Sequence, residues 1–248
     1  MADGQALGNE IRPTRNVVNL MTLIERIEAR QTYLPGMAAF YGPSGYGKTF
    51  AAIHANITMN AVHVEARDFW TRKSLCEALL NEMRVPVGGR ATLSHLFDRI
   101  VEALIRDPRP LIIDEADHLV KKQMIEMVRA IHDATQNTVI LIGEETLPQN
   151  LQPIERVHNR MADWVAAEPA DLEDVRQLGR FYLRGIEIDD ALLKEIVRQS
   201  RGVMRVAATN LGKIGEAART RGTDRMTMAE WTGGFFTGQA PLARRDLA

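Results

Sequence analysis

The chain has 248 residues, 45% apolar and 25% charged, with a formal net charge of −1, a balance that suits a globular fold and excludes a disordered chain, a collagen or a disulfide scaffold. A single cysteine, Cys76, permits no intrachain disulfide and points to a reducing compartment. No apolar stretch approaches the ~18 residues of a membrane span, and Met1-Ala-Asp-Gly-Gln does not read as a secretory signal, so the expectation is a cytoplasmic protein with no membrane partner. Near-zero net charge argues against bulk attraction to nucleic acid and leaves room for a local basic patch.

Residues 17–30 carry apolar side chains at helical spacing and read as an amphipathic helix ended by Pro35-Gly36. Met37–Tyr41 is a short apolar run before a glycine-rich loop and reads as a buried strand. A helix over Phe50–Met59 follows, then a β-branched strand over Ala61–Glu65. Lys73–Met83 and Leu93–Ile105 read as helices, Leu111–Glu115 as a strand running into acids, and Lys121–Thr135 as one helix. Thr138–Ile142 is another buried strand, Leu151–Met161 a helix, and a short strand is expected near Asp163-Trp-Val-Ala. This alternation predicts an α/β fold with a parallel, five-stranded sheet flanked by helices. Beyond Pro169 the strands are expected to stop, leaving helices over Leu172–Leu183, Asp190–Gln199, Met204–Thr220 and Met228–Trp231. The expected organisation is a 1–36 arm and helix, a 37–169 α/β core, a 170–231 helical domain and a loose 232–248 tail.

Gly42-Pro-Ser-Gly-Tyr-Gly-Lys48-Thr49 fits G-x-x-x-x-G-K-[ST] between a predicted strand and a predicted helix. Glycines let consecutive N–H groups turn toward phosphate oxygens, and the helix N-terminus adds partial positive charge. The nucleotide-contacting set is Gly42, Pro43, Ser44, Gly45, Tyr46, Gly47, Lys48, Thr49 and Phe50. Lys48 would reach the β- and γ-phosphates, and the Thr49 hydroxyl would ligate Mg²⁺. At the end of the third strand, Asp114 would complete the Mg²⁺ site and Glu115 would polarise an attacking water; the two acids could instead cap the following helix.

The phosphate loop, Ile112-Ile-Asp-Glu-Ala-Asp-His-Leu119 and the helical segment with Gly202-Val-Met-Arg205 together resemble an AAA+ ATPase, a P-loop NTPase using ATP and Mg²⁺ with a small helical lid. The phrases Leu141-Ile-Gly-Glu-Glu-Thr-Leu-Pro148, Glu155–Arg160 and Trp164-Val resemble the transposition target-selector ATPases of Mu-like phages and prophages. The resemblance implies a phosphate sensor at the turn after Thr138–Ile142, where this chain has Glu144 in place of the usual Asn, Ser or Thr. A carboxylate beside a phosphate is repelled unless a cation or water intervenes. It implies an arginine finger acting on a neighbouring subunit, with Arg160 the first choice and Arg156 the second, and a lid sensor at Arg205. It also implies DNA contact through two basic clusters, Arg67, Arg72 and Lys73 beside Phe69 and Trp70, and Lys121 with Lys122. The implied partners are double-stranded DNA, further copies of the chain in a ring or helical filament, and a transposase. A helicase loader or replication initiator is the alternative within the superfamily, and a nucleotide-switched scaffold with little turnover is another.

Bland alternatives stand beside several of these residues. Phe69 and Trp70 could belong to the core, the lysine pair to a solvated helix start, and each finger arginine to a surface ion pair. Arg176, Arg180, Arg184, Arg198 and Arg201 read as solvated surface or subunit interface. The six histidines show no zinc-ligand spacing, Cys76 reads as a buried apolar residue, and Trp231, Phe235 and Phe236 could staple the tail to the helical domain or dock a partner.

Overall fold

A computed structural model describes residues 13–89 and 91–240. The expected arm before residue 13 and the last eight residues of the tail lie outside the described residues. Two compact units are present: Asn16–Ser44 with Lys48–Ala167, and Glu168 onward together with Arg15 and Gly45–Gly47.

The first unit is built on a parallel sheet of five strands ordered β2-β3-β4-β1-β5. These are β1 (Met37–Tyr41), β2 (Val62–Glu65), β3 (Leu111–Asp114), β4 (Val139–Gly143) and β5 (Met161–Ala166). The register is continuous across the middle, with Ala38 opposite Ile140 and Ile113 opposite Leu141. β1, β3 and β4 are interior strands covered on both faces, so nearly every residue in them is buried and apolar. That is why they read as apolar runs rather than as alternation. The parallel order brings the C-terminal ends of β1, β3 and β4 to one edge, where loops carrying chemistry collect.

Helices α1 (Arg15–Glu28), α2 (Lys48–Met59), α3 (Arg72–Glu82), α4 (Leu93–Arg106) and α6 (Ile125–Thr135) surround the sheet. In α1 the buried residues Val17, Leu20, Leu23, Ile24 and Ile27 follow the 3.6-residue period. α3 and α4 are capped by threonines: Ser74 donates its backbone N–H to Thr71 Oγ1 at 3.1 Å, and His95 to Thr92 Oγ1 at 3.3 Å. Leu75, Leu79, Leu96, Ile100, Ile113 and Leu141 share one core cluster, which also holds Cys76. Burial pushes the Cys76 thiol up to about 11, as for an inert packing residue.

Several expected elements differ. The single helix over Lys121–Thr135 is two, α5 (Asp117–Lys121) and α6, separated by a turn at Gln123 with φ +54°. Met124 donates its N–H back to the Leu119 carbonyl at 2.8 Å, closing α5 and letting Met124 and Ile125 enter the core. The helix over Leu151–Met161 is replaced by α7 (Leu147–Leu151) and α8 (Glu155–His158). Pro153 lies between them, and a proline lacks the N–H and the room to continue a helix.

The second unit packs α9 (Leu172–Tyr182), α10 (Asp190–Ser200) and α11 (Met204–Arg221) around Val175, Leu192, Ile196, Leu211 and Ile214. Asp171 and Asp174 form a reciprocal capping box at the start of α9. Strands do not stop at Pro169: β6 (Glu187–Ile188) and β7 (Arg225–Met226) pair in parallel, with Met226 fully buried. Met228–Trp231 is a turn, not a helix. The start of the tail is tied down, because the Asn210 amide bonds both the carbonyl and the N–H of Phe236, at 2.9 and 2.7 Å. Trp231 and Phe235 pack on this unit's core, as the staple reading expects.

Candidate functional site

β1 delivers the chain into Gly42, Gly45 and Gly47, which hold φ of +153°, +85° and +86°. The last two lie in the left-handed region that side chains with a Cβ avoid. α2 starts at Lys48, so the loop ends on the N-terminus of a 12-residue helix. Thr49 and Phe50 are exposed on its first turn, and Ser44 and Tyr46 line the loop. Lys48 Nζ donates to the carbonyls of Gly42 at 2.6 Å and Pro43 at 2.9 Å. Burial lowers the Lys48 pKa, opposed by the charges of Asp114, Glu115, Asp117 and Glu144. The charges of the predicted acids Asp114, Glu115 and Glu144 thus all act on Lys48, and so does that of Asp117, which the sequence alone does not single out.

Asp114, at the end of β3, is 1% exposed. Its Oδ1 accepts the Glu115 backbone N–H at 2.9 Å, while its Oδ2 is buried and makes no hydrogen bond. His63 Nε2 lies 3.9 Å from that oxygen and is itself buried without a hydrogen bond. A bare buried carboxylate oxygen carries a desolvation cost that a hard cation would remove. No group of three or more His, Cys, Asp or Glu residues that could hold a metal is found among the described residues. Mg²⁺ takes one or two protein oxygens and fills its shell with phosphate and water, so one bare carboxylate oxygen is enough to anchor it. Asp114 and the Thr49 hydroxyl suit such a site.

Glu115 sits at φ +53°, strained for a residue with a side chain. Its pKa is raised, first by burial and then by the charge of Asp114. Glu144 is exposed just after β4, and its backbone N–H donates to Asp117 Oδ2 at 2.8 Å.

The arginines divide. Arg160 is engaged within the chain, its Nε donating to Asp133 Oδ1 at 2.6 Å. Arg156, on α8, is exposed and makes no hydrogen bond or ion pair among the described residues. Arg205 is exposed on the first turn of α11, and its backbone N–H donates to the Gly45 carbonyl at 3.2 Å, both residues lying in the second unit.

In the first basic cluster the Arg67 guanidinium lies 5.9 Å over the ring of Phe69, which is 68% exposed. Trp70, by contrast, packs against the core. Arg72 and Lys73 are exposed at the start of α3, with Lys73 3.9 Å from Glu77. Lys121 and Lys122 are exposed at the C-terminal end of α5, not at a helix start. Arg176 pairs with Glu173 and Asp190, and Arg198 with Glu195, so these two are surface ion pairs. Two residues escaped the sequence reading: Asp117 and His63. Asp117 could have been noticed as the third acid of the Asp114–Asp117 run; His63 shows its place only once β2 and β3 are paired.

Residues 31–151 match the family model described as an AAA domain. A comparison with curated proteins returned no match. The Orc1 protein of Aeropyrum pernix in complex with DNA superposes with a TM-score of 0.61 at 19% identity, over 90% of this chain and 66% of that one. Cdc6p of Pyrobaculum aerophilum gives 0.62 at 14% identity, over 88% of this chain and 66% of that one. A RuvB variant of Thermotoga maritima gives 0.56 at 20% identity, over 85% and 65%. At these identities the likeness is one of fold. The chain spans just under two thirds of the length of each.

Proposed function

We propose, from the premise that residues 31–151 form an AAA-type P-loop ATPase domain, that this chain is an ATP-dependent switch that assembles on duplex DNA and hands it to a partner enzyme. The observation that carries the nucleotide part is the buried Asp114 Oδ2, which makes no hydrogen bond, together with a Lys48 at the end of a glycine loop on which the charges of four carboxylates act. Loop amides and the N-terminus of α2 hold the triphosphate, and Lys48 Nζ exchanges the Gly42 and Pro43 carbonyls for phosphate oxygens. Asp114 and Thr49 would hold Mg²⁺, which when bound would neutralise phosphate charge. Glu115 orients a water in line with the γ-phosphate and takes its proton. Arg156, or Arg160 in its place, enters the site of a neighbouring copy.

Duplex DNA meets Arg67, Arg72, Lys73, Lys121 and Lys122 through its phosphates, without base reading. The phrases around Leu141–Pro148 and Glu155–Arg160 support a transposase as the recipient of the DNA. The fold likeness to Cdc6p and to an Orc1 structure that contains DNA favours the second reading, a replication-initiator or loader role.

Lys48→Ala should weaken binding of a fluorescent ATP analogue by at least about tenfold, the worth of a lost hydrogen bond to a charged group. Glu115→Gln should bind the analogue and lose turnover by about 100-fold, as for a removed general base. Duplex binding should require ATP. Undiminished nucleotide binding by Lys48→Ala would overturn the reading; a preference for single strands would move it to the loader.

A further inference from the structure

One peptide plane joins the phosphate loop to the acidic end of β3, and an unassigned side chain holds it. The peptide between Gly143 and Glu144 offers its carbonyl to the Gly42 N–H at 3.3 Å and its N–H to Asp117 Oδ2 at 2.8 Å. Gly42 opens the phosphate loop, and Asp117 is the first residue of α5, three positions beyond Asp114. Just before that plane, the Ala116 N–H donates to the Ile142 carbonyl at 2.8 Å, so the chain after β3 is tied to the end of β4 at two points.

We propose that Asp117 is a positioning residue for the nucleotide site, holding the Gly143–Glu144 peptide so that the phosphate loop and the Asp114–Glu115 turn move as one. The proposal rests on the ATPase reading above.

Three observations carry it. Asp117 is buried, an expensive place for a carboxylate that served only to start a five-residue helix. Its Oδ2 makes the one hydrogen bond found for the side chain among the described residues, to the Glu144 amide, while Oδ1 is buried without one. Gly143 leaves the room: a Cβ there would land on Asp117 Oδ2 and come within 2.8 Å of Leu147 Cδ2. A carboxylate bound to a peptide N–H polarises that peptide and strengthens its carbonyl as an acceptor. Asp117 thus supports the Gly42 amide without touching it, and its charge acts on Lys48 and Glu115 from the same position.

Asp117→Ala, Asp117→Asn and Gly143→Ala are compared in the full chain, reading ATP turnover, binding of a fluorescent ATP analogue, and amide hydrogen exchange of the nucleotide-free protein. Asp117→Ala should lower kcat by about 10-fold or more, as loss of an outer-shell partner does, with analogue affinity changed by less than that. Exchange at the Glu144 and Gly42 amides should both accelerate. Asp117→Asn keeps an acceptor oxygen and should recover most of the turnover. Gly143→Ala should accelerate the same two amides, and adding it to Asp117→Ala should cost little more.

Unchanged Gly42 exchange in Asp117→Ala would overturn the proposal, as would an asparagine no better than alanine or strictly additive losses in the double variant. The exchange arm needs no nucleotide. A wild-type chain that hydrolyses no ATP therefore sinks the functional reading, while the bridge is still decided by Gly42.

Discussion

Asp133 is the residue on which the two finger candidates separate. Burial works to raise its pKa, but the hydrogen bond and charge of Arg160, with the charge of Arg129, outweigh that and hold it below the usual aspartate range. A depressed carboxyl stabilises the fold above its unfolded pKa of ~3.9, and that contribution disappears as pH falls through the lower folded value. Asp133→Asn should therefore melt with a shallower acid limb than the wild type below about pH 4. Thermal melts between neutral and acid pH check this; parallel limbs would mean the pair contributes nothing. The same contact explains why Arg160, first choice on the sequence, is the less available guanidinium, and why Arg156 on α8 becomes the better candidate for action on a neighbour.

At the scale of elements, caps and breakers decide what apolar periodicity leaves open. α9 begins where Asp171 accepts the Asp174 N–H at 2.9 Å and Asp174 returns the bond at 3.2 Å. Asp171 also pairs with Arg15. Asp171→Ala should lower stability by about 1 kcal/mol, the usual worth of an N-cap, measured by denaturant unfolding. A change under a few tenths would show that Asp174 and Arg15 re-form the cap alone. Pro153 and the left-handed Gln123 each split an expected helix, for opposite reasons of visibility. The proline is plain in the sequence, where it breaks an otherwise helical run. The glutamine adopts φ +54° because the core draws in Met124 and Ile125, which no local signal announces.

For the whole molecule the testable matter is assembly. Arg156 has no partner within the chain among the described residues, while Lys48 and Glu115 belong to the chain's own site. If fingers act between copies, Arg156→Ala and Lys48→Ala proteins should each be poor ATPases, and their mixture should recover activity that neither has alone. Turnover assays on the single variants and the mixture decide this. Failure of the mixture to recover would assign Arg156 to the surface. The same argument predicts that activity per subunit rises with concentration.

What the amino acids alone determined is the local and repetitive part of this protein. Apolar runs of strand length alternating with helical periods announce the parallel α/β sheet, and the glycine loop with Lys48 and the Asp114–Glu115 pair mark the candidate nucleotide site. Both are contiguous patterns whose chemistry demands particular residues at particular spacings. Only the tertiary structure decided the strand order, the two-residue β6–β7 ladder, the pairing of Arg160 with Asp133 and the place of Asp117. Each of these joins residues far apart in the chain. Such contacts leave no periodicity behind them, because their geometry is set by the packed sheet and not by their neighbours in sequence.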